Sequence, residues 1–299
     1  MNLLNIDQLD EDSLRRVLDR SRHWLDVNRQ RERPSPGPLE GRIVLNLFYE
    51  NSTRTLMSFE TAAHRLGADV MSLPVAHSSV KKGETLEDTG RTLNAMRPDV
   101  LVIRHPENGA PARIAEVLDC PVINAGDGTN QHPTQALLDA ATLMSRFGRI
   151  EGLKIAICGD IKHSRVARSN AELLPRLGAE VRLAGPPSLM PDDVATCGSV
   201  DEAVAGADVV MMLRVQRERM EDDLGDAPGE YLERYGLTRE RLRKAAPHVA
   251  VMHPGPMNRG VEIADDVADN KDRSLIWLQV EMGVAVRMAC LELLAGTRD

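Results

Sequence analysis

Aromatic side chains make up only 3% of the 299 residues. That scarcity removes the stacking platforms that single-stranded nucleic-acid binders use. Positive charge is also in short supply. Thirty-seven Lys and Arg face forty-five Asp and Glu, a net charge of −8, which argues against a nucleic-acid-binding domain. No apolar run approaches the ~18–20 residues of a membrane span. The first residues carry Asp7, Asp10, Glu11 and Asp12 and lack the basic-then-apolar form of a secretory signal. Cytoplasmic localisation is therefore expected. The four cysteines, Cys120, Cys158, Cys197 and Cys290, are far apart and form no CxxC pair. Cys120 and Cys158 sit in or beside apolar strand patterns and read as packing residues. GxxxxGK[ST], HExxH and GxSxG are all missing, and the histidines show no ligand spacing. No metal and no cofactor is expected.

What is present is a 42% hydrophobic chain, enough for a sizeable core of Leu, Val, Ile, Ala and Met. Its length suggests two domains of about 150 residues. After a helical pattern in residues 1–30 and a charged, proline-rich loop at Arg31–Pro38, apolar strands alternate with helix-period segments. Strands are expected at Ile43–Phe48, Asp69–Leu73, Val100–Arg104, Val122–Asn124, Lys154–Cys158, Glu180–Leu183, Val209–Leu213 and Val249–Met252. Helices are expected at Thr53–Leu66, Leu86–Met96, Ala110–Leu118, Pro133–Arg146, Ser164–Leu177 and Ile276–Leu294. Such alternation implies parallel sheets covered on both faces, with ligands at the carboxyl ends of the strands. Leu66-Gly67-Ala68-Asp69-Val70 and Leu177-Gly178-Ala179-Glu180-Val181 mirror each other as helix-to-strand links, which suggests one plan used twice. One common turn used twice explains the match nearly as well. The boundary is expected around the helix Pro133–Gly148, before Lys154.

The polar residues at strand ends carry the chemistry. Ser52, Thr53, Arg54 and Thr55 follow the first strand and open a helix, with Ser52 and Thr53 suited to cap it. Free backbone N–H groups, hydroxyls and a guanidinium suit a phosphate, although a plain capped helix with a surface arginine reads the same way. Arg104 ends another strand and points toward the same crevice. His132 and Gln135 flank Pro133 at a helix start, where an imidazole and a carboxamide suit a small carbonyl–amide group. Arg165 and Arg214 end two strands of the second half and suit a ligand with two carboxylates. Each also reads as a partner for a protein carboxylate. Ser78–Glu84 is a polar, basic loop able to close over an anion. His253-Pro254-Gly255-Pro256 is a stiff turn whose carbonyls can accept from an amine. Gly159-Asp160 at the end of the fifth strand is a poor dinucleotide site.

FYENSTRT (48–55), SSVKKGET (78–85), RHP (104–106), INAGDGTNQHPTQ (123–135), GDIKHSRVARSN (159–170), LRVQRER (213–219) and HPGPMNRG (253–260) occur in this order. Together they resemble the aspartate carbamoyltransferase family, within the aspartate/ornithine carbamoyltransferase superfamily, over nearly the whole chain. The resemblance implies an α/β fold of two doubly wound parallel-sheet domains of similar plan, joined by interdomain helices. Residues 1–134 would bind carbamoyl phosphate, with a C-terminal helix at 278–299 packing back on them, and residues 135–277 would bind L-aspartate. The implied reaction gives N-carbamoyl-L-aspartate and phosphate, in pyrimidine synthesis.

The same resemblance implies residue roles. Ser52, Thr53, Arg54, Thr55 and Arg104 would hold the phosphate. Thr55, Arg104 and His132 would point at the carbamoyl oxygen, and Gln135 and the Pro256 carbonyl at its amide. Arg165 would bind the α-carboxylate of aspartate and Arg214 with Gln216 the β-carboxylate, beside Lys82 and Gly255. Ser78 and Lys82 would come from a neighbouring subunit of a homotrimer, with regulatory or dihydroorotase chains as further partners. Glu50 would pair with Arg165 and Arg219 to hold the domains closed. Leu56 stands where many members carry arginine, so altered helix packing is expected there. No carboxylate base lies in the motifs, so the leaving phosphate is expected to take the proton. The competing readings are an ornithine carbamoyltransferase, a catalytically silent paralogue and a nucleotide-binding dehydrogenase. A second arginine at 214 and HPGP at 253–256 weigh against the first. The complete motif set weighs against the second, and the lack of a Gly-rich fingerprint against the third.

Overall fold

Two four-stranded parallel sheets organise the computed structural model, which describes residues 1–32, 34–74, 83–192, 194–215 and 229–296. The first part of the chain runs α1 (Glu11–Arg29), β1 (Ile43–Phe48), α2 (Thr53–Arg65), β2 (Asp69–Pro74), α3 (Leu86–Asn94), β3 (Val100–His105), α4 (Ala110–Ala115), β4 (Val122–Asp127) and α5 (Pro133–Phe147). The second runs β5 (Lys154–Cys158), α6 (Arg165–Arg176), β6 (Glu180–Ala184), α7 (Val200–Val204), β7 (Val209–Met212), α8 (Glu230–Arg234), α9 (Arg239–Leu242), β8 (Ala250–Met252), α10 (Asp265–Ala268) and α11 (Ile276–Ala295). Strand order is β2-β1-β3-β4 in one sheet and β6-β5-β7-β8 in the other. The two sheets therefore share one α/β plan, in which the first strand of each lies inside and the second at an edge. The chain divides into Met1–Ala141 with Val280–Asp299, and Thr142–Gln279. The divisions fall inside α5 and α11.

The inner strands form because their residues are mostly apolar on both faces, as parallel strands under two helix layers require. Val100 to Ile103 of β3 and Val209 to Met212 of β7 are all fully buried. In the first unit Leu45, Leu47, Leu101 and Ile103 pack with Leu86, Leu93 and Ile114 of α3 and α4. In the second, Ala156, Cys158, Val210, Met212 and Val251 pack with Val200, Val204, Leu242 and Val267. The mirrored helix-to-strand links behave alike. Gly67 (φ +88°) and Gly178 (φ +85°) both adopt the left-handed backbone that ends a helix without steric cost.

Several boundaries differ from the sequence expectation. β4 continues past Asn124 to Asp127, because the Asn124 and Asp127 side chains turn inward and bond the backbone. α4 stops at Ala115 and α3 at Asn94, each short of the apolar pattern that suggested them. β7 ends at Met212, so Arg214 lies two residues beyond the strand. The short helices α7 to α10 were not expected from the sequence. In the charged segment Arg217–Arg234, residues 229–234 are described and hold α8.

Candidate active site

In the first unit the carboxyl ends of β1, β3 and β4 carry the predicted residues. β1 and β3 are neighbours with Phe48 opposite Arg104, and the Tyr49 N–H donates to the Arg104 carbonyl (2.9 Å). This register sets Arg104 beside the chain that leads into α2. Ser52 occupies the N-cap position of α2 with extended backbone, but its hydroxyl makes no capping bond. The expected hydroxyl cap is therefore not formed, and the first N–H groups of the helix stand as donors for another acceptor. Thr55 is buried and Arg54 is exposed. The Ser58 hydroxyl bonds back to the carbonyls of Arg54 (2.6 Å) and Thr55 (2.9 Å), which fastens the first turn.

Arg104 donates through Nη1 to the Ala125 carbonyl (3.2 Å), and its Nε lies 3.3 Å from Glu50 Oε2. Glu50, expected as a domain latch, thus lies next to Arg104. His132 and Gln135 begin α5, and the His132 carbonyl accepts from the Gln135 N–H (2.9 Å). His132 is 4% exposed and Gln135 8%.

The loop that delivers His132 is built on Asp127, which sequence reasoning did not single out. Asp127 is buried and accepts from the N–H groups of Gly109 (2.7 Å) and Gln131 (3.0 Å), and from Asn124 Nδ2 (2.8 Å) and Asn130 Nδ2 (3.0 Å). An acid within a small-residue loop looks solvated in sequence. The Gly on each side was the available signal. Gly128 has φ +47°, and a Cβ there would stand 2.0 Å from Asn108 Oδ1 and 2.9 Å from the Pro106 carbonyl. His105 is buried beside Tyr49 (ring centroids 4.5 Å) and accepts at Nδ1 from the Glu107 N–H (3.0 Å). Desolvation holds its pKa below the ordinary histidine value.

In the second unit Arg165 is the first residue of α6, behind Ser164, whose hydroxyl caps the Ala167 N–H (3.1 Å). Arg214 follows β7, the hydrogen-bonded neighbour of β5, so the two arginines stand beyond adjacent strand ends. The backbone is crowded there: a Cβ on Gly159 (φ +126°) would lie 2.9 Å from the Leu213 carbonyl. β8 is the next strand, and its end bears Gly255 and Pro256 across a cis peptide bond. His253 accepts the Gly255 N–H at Nδ1 (2.8 Å), which places its proton on Nε2, 3.3 Å from Glu262 Oε1. Glu262 also receives the Asn258 N–H, and Asn258 Nδ2 donates to the Val215 carbonyl (3.0 Å). The HPGP turn is thereby clamped to the segment that carries Arg214. Glu262 was not anticipated.

Ser78, Lys82, Gln216 and Arg219 lie outside the described residues. Leu56 sits in the first turn of α2 and is half-buried. Burial pushes the thiols of Cys120 up to about 11 and of Cys158 and Cys290 up to about 12. Among the described residues no group of three or more His, Cys, Asp or Glu is placed to hold a metal ion. No helix among them is long and apolar enough to cross a membrane.

Two family profiles meet near the end of α5, and the second also takes in residues 280–294, which belong to the first structural unit. Residues 1–145 match the family profile described as aspartate/ornithine carbamoyltransferase, carbamoyl-P binding domain, and residues 151–294 its Asp/Orn binding domain. The chain is 58% identical over 287 residues to a protein of Rhizorhabdus wittichii named aspartate carbamoyltransferase catalytic subunit, covering 94% of this chain and 90% of that one. A protein of the same name from Gluconobacter oxydans is 56% identical over 303 residues, covering 99% and 96%. Among solved structures, aspartate transcarbamoylase from Trypanosoma cruzi in complex with carbamoyl phosphate and aspartate superposes with a TM-score of 0.87 at 33% identity, covering 97% and 95%. Its complex with N-(phosphonacetyl)-L-aspartic acid gives a TM-score of 0.88 at 32% identity, covering 97% and 94%.

Proposed function

The chain belongs to the aspartate/ornithine carbamoyltransferase family, and from that membership we propose that it transfers the carbamoyl group of carbamoyl phosphate to L-aspartate. The observation that carries the aspartate branch is the pair Arg165 and Arg214, set beyond the adjacent strands β5 and β7. Guanidinium forks hold carboxylates bidentately, and aspartate has two carboxylates where ornithine has one and a cationic chain.

The first unit is the carbamoyl phosphate side. Backbone N–H groups at the start of α2, the hydroxyls of Ser52, Thr53 and Thr55, and the cations of Arg54 and Arg104 hold the phosphate. Gln135 and the Pro256 carbonyl take the carbamoyl amide. The second unit is the aspartate side, with Arg165 on the α-carboxylate, Arg214 and Gln216 on the β-carboxylate, and Lys82 and Gly255 beside them.

The neutral amine attacks the carbamoyl carbon directly, with no covalent enzyme intermediate. A C–N bond forms, and the C–O bond to phosphate breaks. Negative charge grows on the carbamoyl oxygen, where Thr55, Arg104 and His132 donate. One such donor is typically worth about 3–4 kcal/mol. The departing phosphate takes the amine proton. Kinetics that show a titrating enzyme side chain as the base would overturn that step.

We assign the working unit as a homotrimer with shared sites, Ser78 and Lys82 coming from a neighbouring subunit. The trimer would be the piece that regulatory or dihydroorotase-like chains join. Lys82→Ala and Arg54→Ala are each expected to be inactive, and mixed trimers should regain activity. No recovery in properly mixed trimers places the whole site in one chain. Four free cysteines fit a reducing cytoplasm. The transfer itself is tested by phosphate release from carbamoyl phosphate across a panel of amino acids. Release that depends on aspartate supports the reading. Release with ornithine alone refutes it.

A further inference from the structure

One buried polar cluster in the first unit lies outside the phosphate cradle. Asp139 sits one turn along α5 from Gln135, and is completely buried. Its Oδ1 accepts a hydrogen bond from Gln135 Nε2 (3.1 Å). The carboxyl oxygen accepts, so it is the NH₂ end of the carboxamide that faces it. That settles which way the carboxamide is turned, whereas its two ends are otherwise nearly the same shape. Asp139 is the residue farther along the helix from the strand ends, so Oε1 is left for the substrate side.

Burial of a carboxylate needs a counter-charge. Arg287 of α11 interacts with Asp139 electrostatically. Arg287 is 3% exposed, and its guanidinium lies 5.0 Å above the Phe59 ring of α2 and donates through Nη1 to the Gly283 carbonyl (3.2 Å). Burial pulls its pKa down to about 10, against the opposing pull of Cys290 and Asp139, so it keeps its charge at neutral pH. Room for it depends on Gly283, where a Cβ would stand 2.7 Å from Arg287 Nη1. Gln135, Asp139, Arg287 and Phe59 thus link α5, α11 and the phosphate helix α2.

We propose that Asp139 is a positioning residue that locks the Gln135 carboxamide with its oxygen toward the substrate, and so selects an acyl phosphate bearing –NH₂ over one bearing –CH₃. The inference rests on the carbamoyl-transfer reading, since it assumes that Gln135 meets the amide of the donor. An accepting oxygen pairs with an N–H and has nothing to take from a methyl group. The donors to the acyl oxygen and to the phosphate serve both compounds alike. The ratio of the two donors therefore isolates the carboxamide. With Asp139→Asn the neighbour can itself donate, the carboxamide can turn over, and its NH₂ then opposes the NH₂ of the substrate.

The test measures kcat/KM with aspartate and either carbamoyl phosphate or acetyl phosphate. In the second reaction the amine attacks the acetyl carbon and phosphate leaves, giving N-acetylaspartate. D139N is expected to lower kcat/KM for carbamoyl phosphate about tenfold, the size of one misplaced hydrogen bond, and to change acetyl phosphate less than about threefold. In a Q135A background D139N should leave the donor ratio unchanged, since Asp139 acts only through Gln135. Equal losses with both donors, or an unchanged effect of D139N in the Q135A background, would overturn the inference. If D139N does not fold because Arg287 loses that opposing charge, D139N/R287M removes both charges and must show the same change in ratio. A wild-type protein that forms no N-carbamoyl-aspartate refutes the underlying reading instead, whatever the variants do.

Discussion

Replacing Arg214 with alanine should cripple the use of aspartate and spare the binding of carbamoyl phosphate. Arg214 stands two residues beyond β7, between Leu213 and Val215, which are each 1% exposed, so its backbone is firmly held. The side chain itself is half-buried. A bidentate guanidinium–carboxylate pair makes two charge-assisted hydrogen bonds, each worth about 1.5–3 kcal/mol. Their sum is about 3–6 kcal/mol, and partial solvent access favours the lower half of that range. R214A should therefore lower kcat/KM for aspartate by about 10²- to 10³-fold. R214K keeps the charge but loses the fork, and should recover roughly tenfold of that loss. The assay is initial velocity against aspartate at saturating carbamoyl phosphate, with calorimetric titration of carbamoyl phosphate alone. That dissociation constant should move less than about twofold. Equal losses for the two substrates, or full activity in R214K, would refute a carboxylate fork at this position.

Two further outcomes follow from the first unit. Gly128→Ala places a Cβ at a left-handed backbone position and against Asn108 Oδ1, so it should cost about 1–3 kcal/mol in urea unfolding and weaken carbamoyl phosphate binding through the His132 loop. Unchanged stability and affinity would count against that loop as a positioning device. His105 has its pKa held below the ordinary value by desolvation, so the unfolded chain takes up a proton near pH 6.5 before the folded one does. The stability it contributes is complete above about pH 6.5 and is lost as pH falls through the lowered folded value. Thermal melts from pH 8 to 5 should therefore fall less steeply for His105→Asn, which keeps an acceptor for the Glu107 N–H, and parallel curves would exclude His105.

The inner strands were legible because a parallel strand covered on both faces is mostly apolar, and Val100–Ile103, Ile155–Cys158 and Val209–Met212 read that way. Their carboxyl ends followed, and with them Ser52–Thr55, Arg104, Arg165 and Arg214. The short helices α7 to α10 span only four or five residues each, too few to show a helical period. Ser52 stands at the N-cap as expected, but a hydroxyl at an N-cap position identifies a place and not a bond. Asp139 and Arg287 were overlooked although each is a lone charge inside an apolar helix, Ala136–Leu143 in one case and Val284–Leu291 in the other. A charge in such a run must have a buried partner, and periodicity alone does not say which helix supplies it.

Carbamoyl transfer to aspartate is most directly tested by a competition. Isotopically labelled carbamoyl phosphate is mixed with the purified protein and equal concentrations of L-aspartate and L-ornithine, and the labelled carbamoyl carbon is followed by NMR. The predicted result is N-carbamoyl-L-aspartate as the sole enzymatic product, with phosphate released one for one. Label transferred to ornithine, or a carbamoyl carbon unchanged beyond its spontaneous decay, would contradict the account.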